Sequence, residues 1–97
     1  MLCQLRRYKI HDGRMDEFVA LFFEHLVPVR KALGFTLVGA WNDPADGTFV
    51  WVVGHEAHDG WDAAEKAYYD SPERAALPKN PSDFVASAET QVLHPLP

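Results

Sequence analysis

A single cysteine, Cys3, leaves the chain without an internal disulfide, so apolar burial must hold the fold together. No apolar run approaches the roughly 18 residues that a membrane helix needs, and the first residues carry none long enough for a secretory signal. A cytoplasmic protein is expected. Basic residues are also scarce: nine Lys and Arg against fourteen Asp and Glu give a formal net charge of −5. A chain of that sign repels phosphate backbones and acidic lipid surfaces unless its cations cluster. Only Arg6, Arg7, Lys9 and Arg14 lie close together, and strand alternation splits the first three between two faces. Neither nucleic acid nor a membrane is an expected partner. Gly-x-Gly-x-x-Gly, Walker-type and Gly-x-Ser-x-Gly motifs are all missing, so nucleotide binding and hydrolase chemistry lack motif support.

What is present is apolar surface: 47% of the 97 residues are hydrophobic, enough for one domain over residues 1–97 with a core of its own. Leu2 to Ile10 reads as a strand, broken by Asp12-Gly13. Met15, Phe18, Val19, Phe22, Leu26, Val29 and Leu33 recur every three or four residues and predict a helix from Arg14 to Leu33, with Glu24 opposite the stripe. Pro28 crowds the carbonyl of Glu24 and predicts a bend, and Gly34 ends the helix. Phe35–Asn42 and Thr48–His55 flank the turn cluster 43–47 as a hairpin. A second helix starts at Trp61, with Trp61, Ala64, Glu65 and Tyr68 on one side. Ser71 then caps a short helix from Pro72 to Leu77, and Ala86 to His94 forms the last strand.

The order strand, helix, strand, strand, helix, strand predicts an α+β, ferredoxin-like βαββαβ domain: a four-stranded antiparallel sheet with both helices on one face. The other face would stay open. Phe49, Trp51 and Val53 point one way and Val50 and Val52 the other; Phe35, Leu37 and Trp41 likewise alternate with Val38 and Ala40. Either register leaves an apolar face uncovered, which predicts a homodimer through the open sheet face.

His55-Glu56-Ala57-His58-Asp59 is the densest group of potential metal ligands, but His-x-x-His across a strand-to-helix loop lacks the i, i+4 spacing of a helical zinc motif. It reads as loop histidines. His11 and His94 read as strand-end residues, His25 as a helix-boundary residue and Cys3 as a buried structural thiol; no metal is expected. The first strand is more informative. If Tyr8 and Ile10 face the helices, Arg6 is carried to the same pocket, where a guanidinium must be paired or bind an anion. Glu89, on the neighbouring last strand, is one partner for it. The alternative is that Arg6 and Tyr8, with Trp41, Trp51, Tyr68 or Tyr69, hold a small aromatic or anionic ligand.

The ordered segments Leu5-Arg6-Arg7-Tyr8, Gly13-Arg14-Met15-Asp16-Glu17-Phe18, Leu37-Val38-Gly39-Ala40-Trp41, Phe49-Val50-Trp51, Tyr68-Tyr69-Asp70-Ser71-Pro72-Glu73-Arg74 and Glu89-Thr90-Gln91-Val92-Leu93-His94-Pro95 span nearly the whole chain. Together they resemble the NIPSNAP family, within the dimeric alpha-beta barrel superfamily. The resemblance implies the same fold and a dimer but no settled activity. Superfamily relatives include cofactor-free monooxygenases acting on quinol-like aromatic substrates and haem-degrading enzymes, with pockets between sheet and helices. Where the haem degraders carry a first-strand Asn and a later histidine, this chain has Arg6 and Leu77, so haem lacks its axial anchor and no cofactor is expected. Three readings follow: a small-molecule pocket protein, a cofactor-independent monooxygenase or isomerase on an aromatic or quinol-like substrate, and a structural or interaction module.

Overall fold

Alternation along the first strand decides which side chains meet the core. In the computed structural model, which describes all 97 residues, β1 (Leu2–Ile10) turns Gln4, Arg6, Tyr8 and Ile10 to one face and leaves Arg7 and Lys9 exposed on the other. β2 (Thr36–Asp43), β3 (Thr48–His55) and β4 (Val85–Leu93) complete a four-stranded sheet of order β2-β3-β1-β4, with every neighbouring pair antiparallel. The hairpin turn is fixed by side chains acting on their own backbone: the Asp43 carboxylate accepts from the Ala45 N–H and that of Asp46 from the Thr48 N–H. Gly47, at φ 76°, supplies the left-handed step that ends it.

Helices α1 (Met15–Leu21), α2 (Val27–Ala32) and α3 (Trp61–Tyr69) pack on the face that carries Phe49, Trp51 and Val53. Fourteen buried apolar residues form one cluster there, with Tyr68, Phe18, Phe22 and Phe49 almost wholly enclosed. Each such side chain contributes about 1.5–3 kcal/mol of burial, so this layer carries most of the stability. The short α4 (Pro72–Ala75) and a 3-10 turn (Pro81–Phe84) lead into β4. The fold is ferredoxin-like, α+β, as the order of elements predicts. No helix is long and apolar enough to cross a membrane.

Two irregularities alter what lies where. Between α1 and α2 the chain makes a π-helical turn, Phe22–Leu26, in which the Val27 N–H reaches the Phe22 carbonyl five residues back. The wider turn relieves the crowding of Pro28 against the Glu24 carbonyl, so the strain that predicts a bend is taken up by one inserted residue. The buried spacing shows it: Phe18, Leu21 and Phe22 are followed by Leu26, Val27 and Arg30, with steps of three or four on each side and five across the turn. Arg30 therefore enters the core, while Val29 and Leu33 are only partly buried. The second irregularity is a bulge in β2 between Leu37 and Gly39. Leu37 pairs with Val53 on the helix face, but Trp41 pairs with Val50 on the outer face and is 59% exposed.

Candidate functional site

Three arginines from three elements converge between sheet and helices. β1 delivers Arg6 by its period of two, opposite Trp51 of β3. The π turn delivers Arg30, which is 4% exposed. Ser71 delivers Arg74: its hydroxyl accepts from the Arg74 N–H at 3.1 Å and starts α4, with Pro72 in the first turn. One carboxylate serves them. Glu65, half-buried on α3, places Oε2 3.2 Å from Arg6 Nη1 and accepts from Arg30 Nη1 through Oε1. None of the chain's ion pairs involves Arg74. Three guanidinium groups against one carboxylate leave two positive charges uncompensated, inside a chain whose net charge is −5.

Arg6 is the most fully bonded of the three. Its Nε donates to the Tyr8 hydroxyl at 2.7 Å, Nη1 to Gln4 Oε1 at 2.7 Å and Nη2 to the Tyr69 hydroxyl at 3.2 Å. Burial, the largest single influence, disfavours its charge, but Tyr8, Tyr69 and Glu65 together outweigh that and raise its pKa, so Arg6 is permanently cationic. Arg30 lies flat under Tyr68, its guanidinium carbon 3.7 Å from that ring's centre and 5.4 Å from the centre of Trp51. Arg74 stands 5.6 Å from the Tyr69 ring centre. Burial pushes the Tyr68 phenol up in pKa against the opposing pull of Arg30 and Arg74, which keeps it neutral. Three buried N–H groups here have no hydrogen-bond partner: Arg30 Nε, Trp51 Nε1 and Arg74 Nε. Each costs about 1–3 kcal/mol while unpaired, more on a charged group.

All three residues line a small cavity of about 40 Å³, which Phe18, Phe22 and Tyr68 share. A second, larger cavity of about 170 Å³ adjoins it and has Arg6, Tyr8, Tyr69, Arg74 and Pro81 in common with it. Ser82, Val85 and Ala88 form its outer wall. The two read as one cleft with a cationic, aromatic floor and a mouth between α4 and β4.

Of the residues singled out by sequence, Arg6, Tyr8, Trp51 and Tyr68 meet at this cleft, with Tyr69. Trp41 and Glu89 do not. Trp41 is carried to the outer sheet face by the β2 bulge, and Glu89 pairs with Arg7, whose side chain points away from the helices. The partner of Arg6 is Glu65 rather than Glu89. Arg30, Arg74, Gln4 and Glu65 complete the cluster without having been singled out. Glu65 shares a helix face with Tyr68 in the sequence pattern, which was a usable signal; for the phase shift that brings in Arg30 the one signal is Pro28, which marks the place but not the wider turn.

The histidine loop is built otherwise. His55 Nδ1 accepts from the Ala57 N–H at 2.8 Å, so its proton sits on Nε2, which lies 3.2 Å from the Leu33 carbonyl. It braces Ala57, a non-glycine residue at φ 53°. No group of three His, Cys, Asp or Glu side chains lies close enough to hold a metal ion. Cys3 is half-buried, on the sheet face away from the helices.

A ferredoxin-like α+β domain with a positively charged cleft is the class that fold and site define. The chain belongs to the NIPSNAP family, whose model matches residues 3–97. Solved structures with the same fold include an uncharacterized NIPSNAP domain protein from Burkholderia xenovorans, 18% identical over 99% of this chain and 95% of that one, with a TM-score of 0.82. A NIPSNAP family protein from Agrobacterium tumefaciens is 20% identical over 98% and 92%, with a TM-score of 0.81. An antibiotic biosynthesis monooxygenase is 16% identical over the full length of both chains, with a TM-score of 0.73. No curated protein matches the chain at a significant level.

Proposed function

We propose that this protein holds a small anionic molecule with a planar, aromatic or apolar body in the cleft between sheet and helices. The observation that carries the reading is the charge imbalance at Arg6, Arg30 and Arg74, with buried donors left unpaired beside aromatic rings. Guanidinium forks and ring faces suit a carboxylate or phosphate on a flat body. The geometry favours binding over deprotonation chemistry, because both oxygens of the cluster's one carboxylate are already engaged by guanidinium groups rather than turned to the cleft. The test is calorimetric titration with benzoate against benzamide. A charge-assisted contact is worth about 1.5–3 kcal/mol, so the acid should bind at least about tenfold more tightly, and Arg30→Met should remove that preference. Equal binding of acid and amide would reject the reading.

The working unit of this reading is a homodimer joined through the outer sheet face. Leu5, Val50 and Val52 lie on that face with Trp41, which is 59% exposed, and Leu93, which is 36% exposed. A two-fold contact would cover all five at once.

A further inference from the structure

We infer that the ligand's head group carries two negative charges, as a phosphate monoester or a pair of adjacent carboxylates does. The inference rests on the anion-binding reading above and adds to it the charge and hydrogen-bonding character of the group bound.

The first argument is the count of charges. Glu65 neutralises one of three guanidinium groups, and a singly charged ligand would leave another uncompensated beside the smaller cavity. A dianion closes the balance. The second argument is the count of donors. Four of the five Arg6 N–H groups are engaged, but Arg30 uses only one of its donors, and the Arg74 side chain uses none. The Tyr8 and Tyr69 hydroxyls accept from Arg6, so each keeps its own hydrogen to give outward. The acceptors at the cluster, Gln4 Oε1 and the two Glu65 oxygens, each already receive a guanidinium N–H. A site rich in donors with its acceptors engaged selects a group made of acceptor oxygens, and rejects alcohols and amines that must also donate. The third argument is geometry. Arg6 and Arg74 line both cavities, while Arg30 and Trp51 line only the smaller one. An anionic head between Arg6, Arg30 and Arg74 therefore leaves its body in the larger space against Tyr69 and Val85.

The experiment is a calorimetric comparison of phenyl phosphate, phthalate, benzoate and inorganic phosphate on the intact protein, repeated with Arg74→Gln. Arg74 lies at the junction of the two cavities and outside the apolar core, so its loss leaves the fold in place. Phenyl phosphate or phthalate should bind about tenfold more tightly than benzoate, and Arg74→Gln should erase most of that margin. Affinity for phenyl phosphate should rise with pH through its second pKa near 6, while that for benzoate stays flat there. Inorganic phosphate binding as tightly as phenyl phosphate keeps the dianion and removes the need for an aromatic body. Benzoate matching both dianions, with no pH dependence, overturns the inference and leaves the anion-binding reading standing. No heat and no thermal stabilisation with any of the four overturns both.

Discussion

Replacing Glu65 by Gln should damage this protein far more than replacing Arg30 by Met, although the two residues form one ion pair. Arg30 is 4% exposed, and Glu65 is its only hydrogen-bond partner. Removing that charge strands a buried guanidinium, at a cost of about 3–5 kcal/mol. Glutamine keeps one acceptor oxygen, which puts Glu65→Gln near the lower end, at about 3 kcal/mol. Arg30→Met has no such effect, because Glu65 stays paired with Arg6, and the unbranched methionine fills much of the space under Tyr68. Its cost should be about 1 kcal/mol, the scale of a lost cation–π contact. Arg6 survives either change on its bonds to Gln4, Tyr8 and Tyr69. The double variant should resemble Arg30→Met alone. Urea titration measures all four proteins, and a chain of this size loses roughly 4–8 °C of Tm per kcal/mol, so Glu65→Gln should melt roughly 12–24 °C lower. A double-mutant cycle with coupling near zero, or Arg30→Met costing as much as Glu65→Gln, would refute the reasoning.

Sedimentation should give a species of twice 10.9 kDa that Val52→Glu on the outer sheet face converts to the single mass; a wild-type monomer at micromolar concentration would end that proposal. Ala57→Gly should raise stability by about 0.5–1 kcal/mol in thermal melts, since glycine accepts φ 53° without the steric cost of a Cβ, and a fall would show that the loop prefers the side chain. Tyr68 sets an alkaline limb: burial raises its folded pKa, so the unfolded phenol ionises first, near pH 10, and stability is full below that pH and declines above it. Tyr68→Phe should flatten that decline in Tm, and an unchanged slope would assign it to other groups.

How far the sequence carried the structure depends on where a period was broken. Strand alternation placed Arg6 with Tyr8 and Phe49 with Trp51, because β1 and β3 run without interruption. The same rule misplaced Trp41, since one bulge residue at the start of β2 reverses every face after it. Glu89 failed for a related reason. Neighbouring strands can be inferred from the order of elements, but register cannot, and a register in which Glu89 meets Arg7 puts it across the sheet from Arg6. Helical periodicity found Phe18, Phe22 and Leu26 and then lost phase at the π turn, so the expected stripe ran on through Val29 and Leu33 and passed over Arg30. Pro28 signalled trouble at that point; whether a helix bends or widens there is decided by packing on the sheet, which no local pattern encodes.

The most direct test is a crystal structure of the protein soaked in phenyl phosphate. The phosphate should lie within hydrogen-bond distance of Arg30 and Arg74, with the ring toward Tyr69 and the mouth of the cleft. Phosphate density on the outer sheet face, or guanidinium groups left without an anion at saturating ligand, would contradict the assignment.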